Sequence, residues 1–194
     1  MRRFPGTAGI TLAATVAIAL AALTALAALT ASAGEALAAP PPALAPIRPA
    51  QAAAAFERIK GMQGNWTGVS TKGWEEGITY RGIAAGSCVL ETSFDAHPDE
   101  TMLTLYHMHE GDLLLTHYCV AKNQPRLRAT AASPDGSTIE FTFLDATGIP
   151  SRDAGHMDRL VMTFGGDSVQ KQWYWYSAGN ESPMERITLT RAEE

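Results

Sequence analysis

The spacing of apolar residues changes once along the chain, shortly before residue 65. Residues 51–62 carry Phe56 and Ile59 three positions apart, close to the helical repeat, and Gly61 or Gly64 then stops the pattern. Beyond Gly64 apolar residues alternate with polar ones, which is typical of strands with one buried face. The pattern therefore predicts a short helix followed by β-structure.

Ten segments with this alternation follow the helix, separated by turns rich in Gly, Pro, Asn and Asp. They are residues 65–71, 76–84, 87–94, 101–109, 113–121, 126–131, 138–144, 158–164, 169–177 and 185–191. Short links without a second helix favour an antiparallel meander, and closure of so long a sheet removes its exposed edges. We predict an all-β fold: a single antiparallel up-and-down β-barrel of about ten strands with a short N-terminal helix.

A large aromatic residue stands at the start of the first predicted strand. Gly64-Asn65-Trp66 lets the chain turn sharply from helix to strand, and the indole is placed to plug the barrel floor. The last strand of a closed meander pairs with the first, so Arg191 is expected over the indole face in a cation–π contact. We therefore assign structural roles to Gly64, Trp66 and Arg191.

These two motifs resemble the lipocalin and wider calycin pattern. The strand count is more similar to fatty-acid-binding and nitrobindin-like barrels, and residues 106–129 resemble exported bacterial lipocalin-like proteins. The resemblance implies a barrel whose lumen holds a small ligand. In fatty-acid-binding barrels, inward arginine and tyrosine residues hold an acid head group.

The first 38 residues are expected to direct export. Arg2 and Arg3 precede an apolar run and an Ala-Ser-Ala site, which is the form of a secretory signal. We predict a signal peptide at residues 1–38, cleaved after Ala33 or Ala38, with an uncleaved membrane anchor as the alternative. Residues 39–50 are rich in Ala and Pro, a composition that is typical of a linker. The barrel domain then spans residues 51–194, and the mature protein is expected to be periplasmic or secreted, with no membrane span.

Composition narrows the classes of partner and of chemistry. The formal net charge is −5 and the chain has no basic stripe, which argues against nucleic acid as a partner. Cys88 and Cys119 permit one disulfide in an exported protein, or two small buried thiols. No G-x-S-x-G motif is present, and no catalytic residues are predicted.

Candidate ligand-binding residues lie between positions 106 and 128. Arg126 follows a proline-containing turn and is suited to bind a carboxylate bidentately. Tyr106 and His117 lie on the preceding predicted hairpin. We expect Tyr106, His117 and Arg126 to line the lumen, with Arg126 anchoring a small, largely apolar and acidic molecule. In the alternative, Arg126 and Arg128 both lie on the outer face of the barrel, each in a surface ion pair.

A second hypothesis is a metal-dependent enzyme. His107, His117 and Glu91 together form a plausible zinc or non-haem iron set. The resemblance to nitrobindin-like barrels implies a haem-binding histidine within a strand of the carboxy-terminal half. The only candidate, His156, lies in a predicted loop, so haem is not expected. The binding hypothesis involves no cofactor. A third hypothesis is a structural envelope protein without a ligand.

The register of one hairpin separates the two leading hypotheses. Glu110-Gly111-Asp112 admits a two-residue type I′ turn, with Gly in second place, or a three-residue loop. The two-residue turn puts Tyr106 and His117 on one face and His107 on the other. We predict that turn, in which case His107 and His117 cannot share a metal ion.

Overall fold

The computed structural model describes residues 43–94 and 101–193. Within these ranges the chain forms one α-helix, α1 (Pro49–Gly61), and a 3₁₀ turn at Ala84–Gly86. The strands are β1 (Ala45–Pro46), β2 (Gly64–Ser70), β3 (Glu75–Ile83), β4 (Cys88–Phe94), β5 (Met102–His109), β6 (Asp112–Tyr118), β7 (Gln124–Ala132), β8 (Thr138–Thr147), β9 (His156–Phe164), β10 (Ser168–Ser177) and β11 (Asn180–Arg191).

Strands β2 to β11 form a closed antiparallel barrel. Each strand pairs with the next one along the chain, and β11 closes the sheet on β2 with Ile187 opposite Ser70 and Arg191 opposite Trp66. The predicted fold class, a ten-stranded up-and-down barrel with an N-terminal helix, is confirmed. Closure leaves no unpaired edge along this seam.

The last hairpin differs from its prediction. Residues 180–183, which lie between the predicted strands 169–177 and 185–191, are part of β11. The chain reverses at Ala178 and Gly179, whose φ angles are 51° and 83°. Pro183 lies where the register between β10 and β11 shifts, which is a bulge. Bulges tolerate proline because the ladder is already interrupted there, so Pro183 is a poor marker of a strand end.

The folded unit also begins earlier than expected. Ala45 and Pro46 pair with Ala132 and Ala131 of β7, and α1 starts at Pro49. The part of the predicted linker from residue 45 to 50 therefore belongs to the folded unit. The predicted signal peptide and the first residues of that linker lie outside the described residues. In the described part of the chain, no helix is both long and apolar enough to cross a bilayer.

Helix α1 and Trp66 close one end of the barrel. The Trp66 indole N–H donates to the Met62 carbonyl at 2.7 Å, and its ring makes an edge-to-face contact with Tyr80. The Arg191 guanidinium lies 4.7 Å from the indole centroid and donates to the carbonyls of Gln63 and Gly61. The predicted contact between Arg191 and Trp66 is therefore confirmed. Gly64 has a φ of 112°, a conformation that glycine adopts without strain.

The middle of the barrel is filled by side chains. Among the described residues the fully buried set from several strands includes Tyr80, Tyr106, Leu127, Phe141 and Leu160, each at most 1% exposed. Their packing joins the two halves of the barrel wall across the lumen. An alkyl chain of fatty-acid length would have to displace this core.

Candidate functional site

A buried ion pair crosses the lumen. Glu91 on β4 and Lys171 on β10 are 80 positions apart in the sequence, and the Lys171 ammonium donates to Glu91 Oε1. Each side chain is only 1% exposed. Charges this deeply buried require a partner, because the desolvation of either ion alone costs several kcal/mol. The pair therefore fixes the position of both side chains.

The Glu91 carboxylate has further donors on both of its oxygens. The Tyr106 hydroxyl donates to Oε2 at 2.7 Å, and the Ser93 hydroxyl donates to Oε1 at 3.2 Å. Burial alone would raise the pKa of Glu91, but the Lys171 ammonium and the hydroxyls of Tyr106 and Tyr80 leave that pKa below its ordinary value. Burial and the Glu91 charge raise the pKa values of Tyr106 and Tyr80, so both phenols stay protonated. Glu91 is thus a satisfied anion.

His117 lies beside this pair with one ring nitrogen unused. Its Nδ1 is 3.0 Å from the Thr104 hydroxyl, and its ring packs at 4.9 Å on the Trp173 ring. The side chain is buried, and Nε2 has no hydrogen-bond partner. Burial lowers the pKa of His117 to about 4, with Glu91 opposing the shift and Lys171 adding to it. The imidazole is therefore neutral at pH 7 and offers one unmatched polar atom.

The His117 side chain lines a small interior cavity of about 20 Å³. We call it the polar cavity, after its polar lining: Glu76, Glu91, Ser93, His117, Lys171 and Glu185. Glu76 lies next to the turn between β2 and β3, so the cavity is toward the barrel end away from α1. Its volume holds about one water molecule or a group of similar size.

The hairpin between β5 and β6 has the predicted two-residue turn. Glu110 and Gly111 have φ angles of 50° and 91°, the positive pair that a type I′ turn needs. Thr104 is opposite His117 and Leu114 is opposite His107. His117 therefore points inward and His107 outward, as predicted.

The predicted metal set is not assembled in this structure. His107 is on the outer face, while His117 and Glu91 are inside, and Glu91 is committed to Lys171. Among the described residues, no three His, Cys, Asp or Glu side chains are arranged to hold a metal ion. The alternative hypothesis, in which His107 joins His117 and Glu91, therefore fails in geometry, because strand alternation puts His107 on the opposite face, as the predicted turn required.

The predicted position of Arg126 was also wrong. Its guanidinium donates to Asp145 Oδ1 at 2.6 Å on the outer face, and about half of each side chain is exposed. The adjacent Leu127 is fully buried, so alternation along β7 turns Arg126 outward. Tyr106 and His117 do face the lumen, but Arg126 is not beside them. Arg126 is a surface ion-pair partner.

His156, the haem candidate, is the first residue of β9 and is fully buried. Its Nδ1 is 2.6 Å from the Ala154 carbonyl, and its Nε2 is 2.5 Å from the Arg152 guanidinium. The same guanidinium lies over the rings of Phe143 and Tyr176 at 4.2 and 3.7 Å. Both ring nitrogens are therefore engaged by the protein, in a cluster that ties the β8–β9 connection to the barrel wall.

The residues of the polar cavity that sequence reasoning missed include Lys171, Trp173, Glu76 and Glu185. One signal was available for the first two, because Val169, Lys171 and Trp173 share one face of β10 by two-residue spacing. Cys88 and Cys119 were left open as a disulfide pair, and in the structure they do not form a disulfide.

Comparison with known proteins adds no assignment. No family model matches the chain, and no curated protein matches it.

Proposed function

We propose that this protein is an exported binding protein that holds part of a small molecule in the polar cavity. One observation carries the proposal: His117 presents an unpaired, buried ring nitrogen toward a cavity. An unsatisfied polar atom in a protein interior costs about 1–3 kcal/mol. A ligand that supplies the missing hydrogen bond removes this cost on binding.

The shape and composition of the site support a binding role. The polar cavity combines placed polar groups with the apolar walls of Met102, Met157, Trp173 and Ile187. Sites with this composition orient small ligands, since the apolar walls supply affinity and the polar groups supply specificity. The cavity holds only a small group, which favours partial insertion of the ligand.

Lipocalin-like or calycin identity is part of the same proposal. The closed meander and the contact between Trp66 and Arg191 support it. The ligand differs from the apolar acid that the sequence suggested. Arg126 is not available as its anchor, and the filled core leaves an alkyl tail no room among the described residues.

Thermal-shift screening with a library of small polar molecules tests the proposal, followed by native mass spectrometry of each hit. We expect hits that stabilise the wild type and fail to stabilise His117→Phe, which replaces the ring nitrogens with carbon. Arg126→Ala is the matched control on the outer face and should keep the hits. A fluorescent fatty acid that binds the wild type tightly, with no hit sensitive to His117, would contradict the proposal.

A further inference from the structure

A second and larger cavity lies at the other end of the barrel, where α1 and Trp66 close the lumen. Its volume is about 280 Å³. Arg58 on α1, Phe164 and Ser168 on either side of the β9–β10 turn, and Arg191 at the end of β11 all contribute to its lining. We call this cavity the arginine pocket. The polar cavity lies toward the opposite end, so the two sites are separate.

The charged groups that line the arginine pocket are both positive. Within the described part of the chain, neither Arg58 nor Arg191 forms an ion pair with a carboxylate. Arg58 donates to the Asp135 backbone carbonyl at 3.4 Å, and Arg191 donates to two backbone carbonyls. Other arginines of the barrel do pair with carboxylates: Arg126, Arg128, Arg152 and Arg159. The arginine pocket therefore holds two cationic groups without an acidic counterpart in its lining.

The acidic residues that neighbour the lining in sequence do not supply this counterpart. Glu57 pairs with Lys60 on α1. Asp167 and Glu193 are exposed and are not part of the lining. A concave surface with charges of one sign raises the local concentration of the opposite ion. The arginine pocket is thus suited to an anion.

The donors of the pocket suit a phosphate group in particular. A guanidinium has five N–H donors in a planar fork and matches phosphate oxygens bidentately. Arg191 uses two of its N–H donors on Gln63 and Gly61, so others remain for a ligand. A phosphate monoester carries a charge of about −1.5 to −2 at pH 7, which balances two guanidinium groups, whereas a carboxylate balances only one.

We infer that the arginine pocket is a second ligand site, in which Arg58 and Arg191 bind the phosphate group of a small phosphate monoester. Phe164 and Met62 offer apolar surface for the rest of the molecule. The volume of about 280 Å³ is near the lower limit for a site that takes a small organic ligand. A soluble ester and a lipid headgroup share this phosphate chemistry. The inference is independent of the proposed function.

Isothermal titration with matched probes tests the inference. Phenyl phosphate, benzoate and benzyl alcohol each carry one benzene ring, and they differ in the charge of the polar group. We expect phenyl phosphate to bind more tightly than benzoate, and benzyl alcohol not to bind. Arg58→Gln should weaken the binding of phenyl phosphate roughly ten- to a hundredfold, the usual effect of losing a charge-assisted hydrogen bond. Sedimentation with phosphatidylcholine vesicles, with and without phosphatidic acid, tests the lipid source.

Arg186→Gln is the matched control. Arg186 is exposed on β11, and its carbonyl accepts from Thr71 near the β2–β3 turn, away from α1. Its loss removes the same charge and should leave the dissociation constant unchanged. Circular dichroism melts verify that each variant folds. Arg58→Lys keeps the charge without the planar fork and should lose part of the affinity, so it replaces Arg58→Gln if that variant unfolds.

The outcomes separate this inference from the proposed function, because His117→Phe should keep the affinity for phenyl phosphate. Vesicle binding that requires phosphatidic acid and Arg58 supports the phosphate site and assigns it to a lipid. Equal binding of phenyl phosphate by the wild type and Arg58→Gln overturns the inference, as does benzoate binding as tightly as phenyl phosphate. Failure of both phenyl phosphate and phosphatidic acid vesicles to bind overturns it as well.

Discussion

Lys171 and Glu91 meet inside the barrel, where the ammonium of one donates to the carboxylate of the other. They stand on opposite parts of the barrel wall, so the contact joins β10 to β4 across the lumen. Tyr106 and His117 are placed around this pair. A charge pair thus organises the interior that we propose as a binding site.

Breaking this pair should destabilise the fold strongly. Lys171→Met leaves the Glu91 carboxylate buried without its counter-ion, which typically costs about 3–5 kcal/mol. Arg126→Met is the matched control, since it removes the cation of an exposed pair that contributes about 0–1 kcal/mol. Urea denaturation of both variants measures the difference. Equal losses of unfolding free energy would show that the Lys171 contact is unimportant for stability.

Replacing the floor tryptophan should also be costly. Trp66→Ala removes a buried indole, its hydrogen bond to Met62 and the ring beneath Arg191, for a loss of about 3–5 kcal/mol. Trp74→Ala, at a half-buried position in the β2–β3 connection, serves as the comparison and should lose less. A Trp66→Ala protein that melts within a degree or two of the wild type would refute the floor-plug role.

The β5–β6 turn offers a stabilising change. Glu110 has a φ of 50°, a conformation that asparagine adopts more readily than glutamate, and Asn-Gly is the preferred type I′ pair. Glu110→Asn should therefore raise the unfolding free energy by about 1 kcal/mol, since asparagine avoids part of the left-handed backbone strain that glutamate bears. Asp167→Asn removes the same charge in another turn, without a positive φ, and should have little effect. A neutral or destabilising Glu110→Asn would be the contrary result.

His117 should make stability depend on pH. Its pKa falls from 6.5 to about 4 on folding, so the unfolded chain binds the proton more tightly in that window. The contribution of neutral, buried His117 to the free energy of unfolding is therefore fully present above pH 6.5. It is lost as the pH is lowered toward 4, by about 3 kcal/mol in total. The lowered pKa of Glu91 adds a further loss below its ordinary value of 4.5.

Unfolding free energies of the wild type and His117→Gln between pH 7 and 4.5 measure this contribution. The variant should show a flatter dependence on pH. His109→Gln replaces an exposed histidine and should retain the slope of the wild type. Parallel curves for the wild type and His117→Gln would mean that burial of His117 does not resist protonation.

Much of the fold could be predicted because period-two alternation and turn residues are local signals. Gly111 in second place selected the type I′ turn, and that turn fixed which faces His107 and His117 occupy. The Trp66 and Arg191 contact followed from the pairing of first and last strands. The closed up-and-down topology was therefore sufficient to predict this contact between residues far apart in the sequence.

The contents of the lumen were harder to predict. Lysine is rarely buried without a partner, and the partner of Lys171 is 80 residues away, so no local pattern reveals it. Analogy with fatty-acid-binding barrels led to the prediction that Arg126 lies in the lumen. The apolar Leu127 and Ala129, which are buried, occupy the inward positions of β7 instead. Charge pairing across a barrel depends on the full closure, which short-range spacing does not encode.

The most direct test of ligand binding beside His117 is nitrogen-15 NMR of the histidine rings during titration with a hit from the thermal-shift screen. The neutral ring gives separate signals for Nδ1 and Nε2, so the unpaired nitrogen can be followed by itself. We predict that the Nε2 signal of His117 shifts as the site fills, while the exposed His109 is unaffected. Saturable binding that moves the signals of His107 or His109 and leaves His117 unchanged would contradict the account.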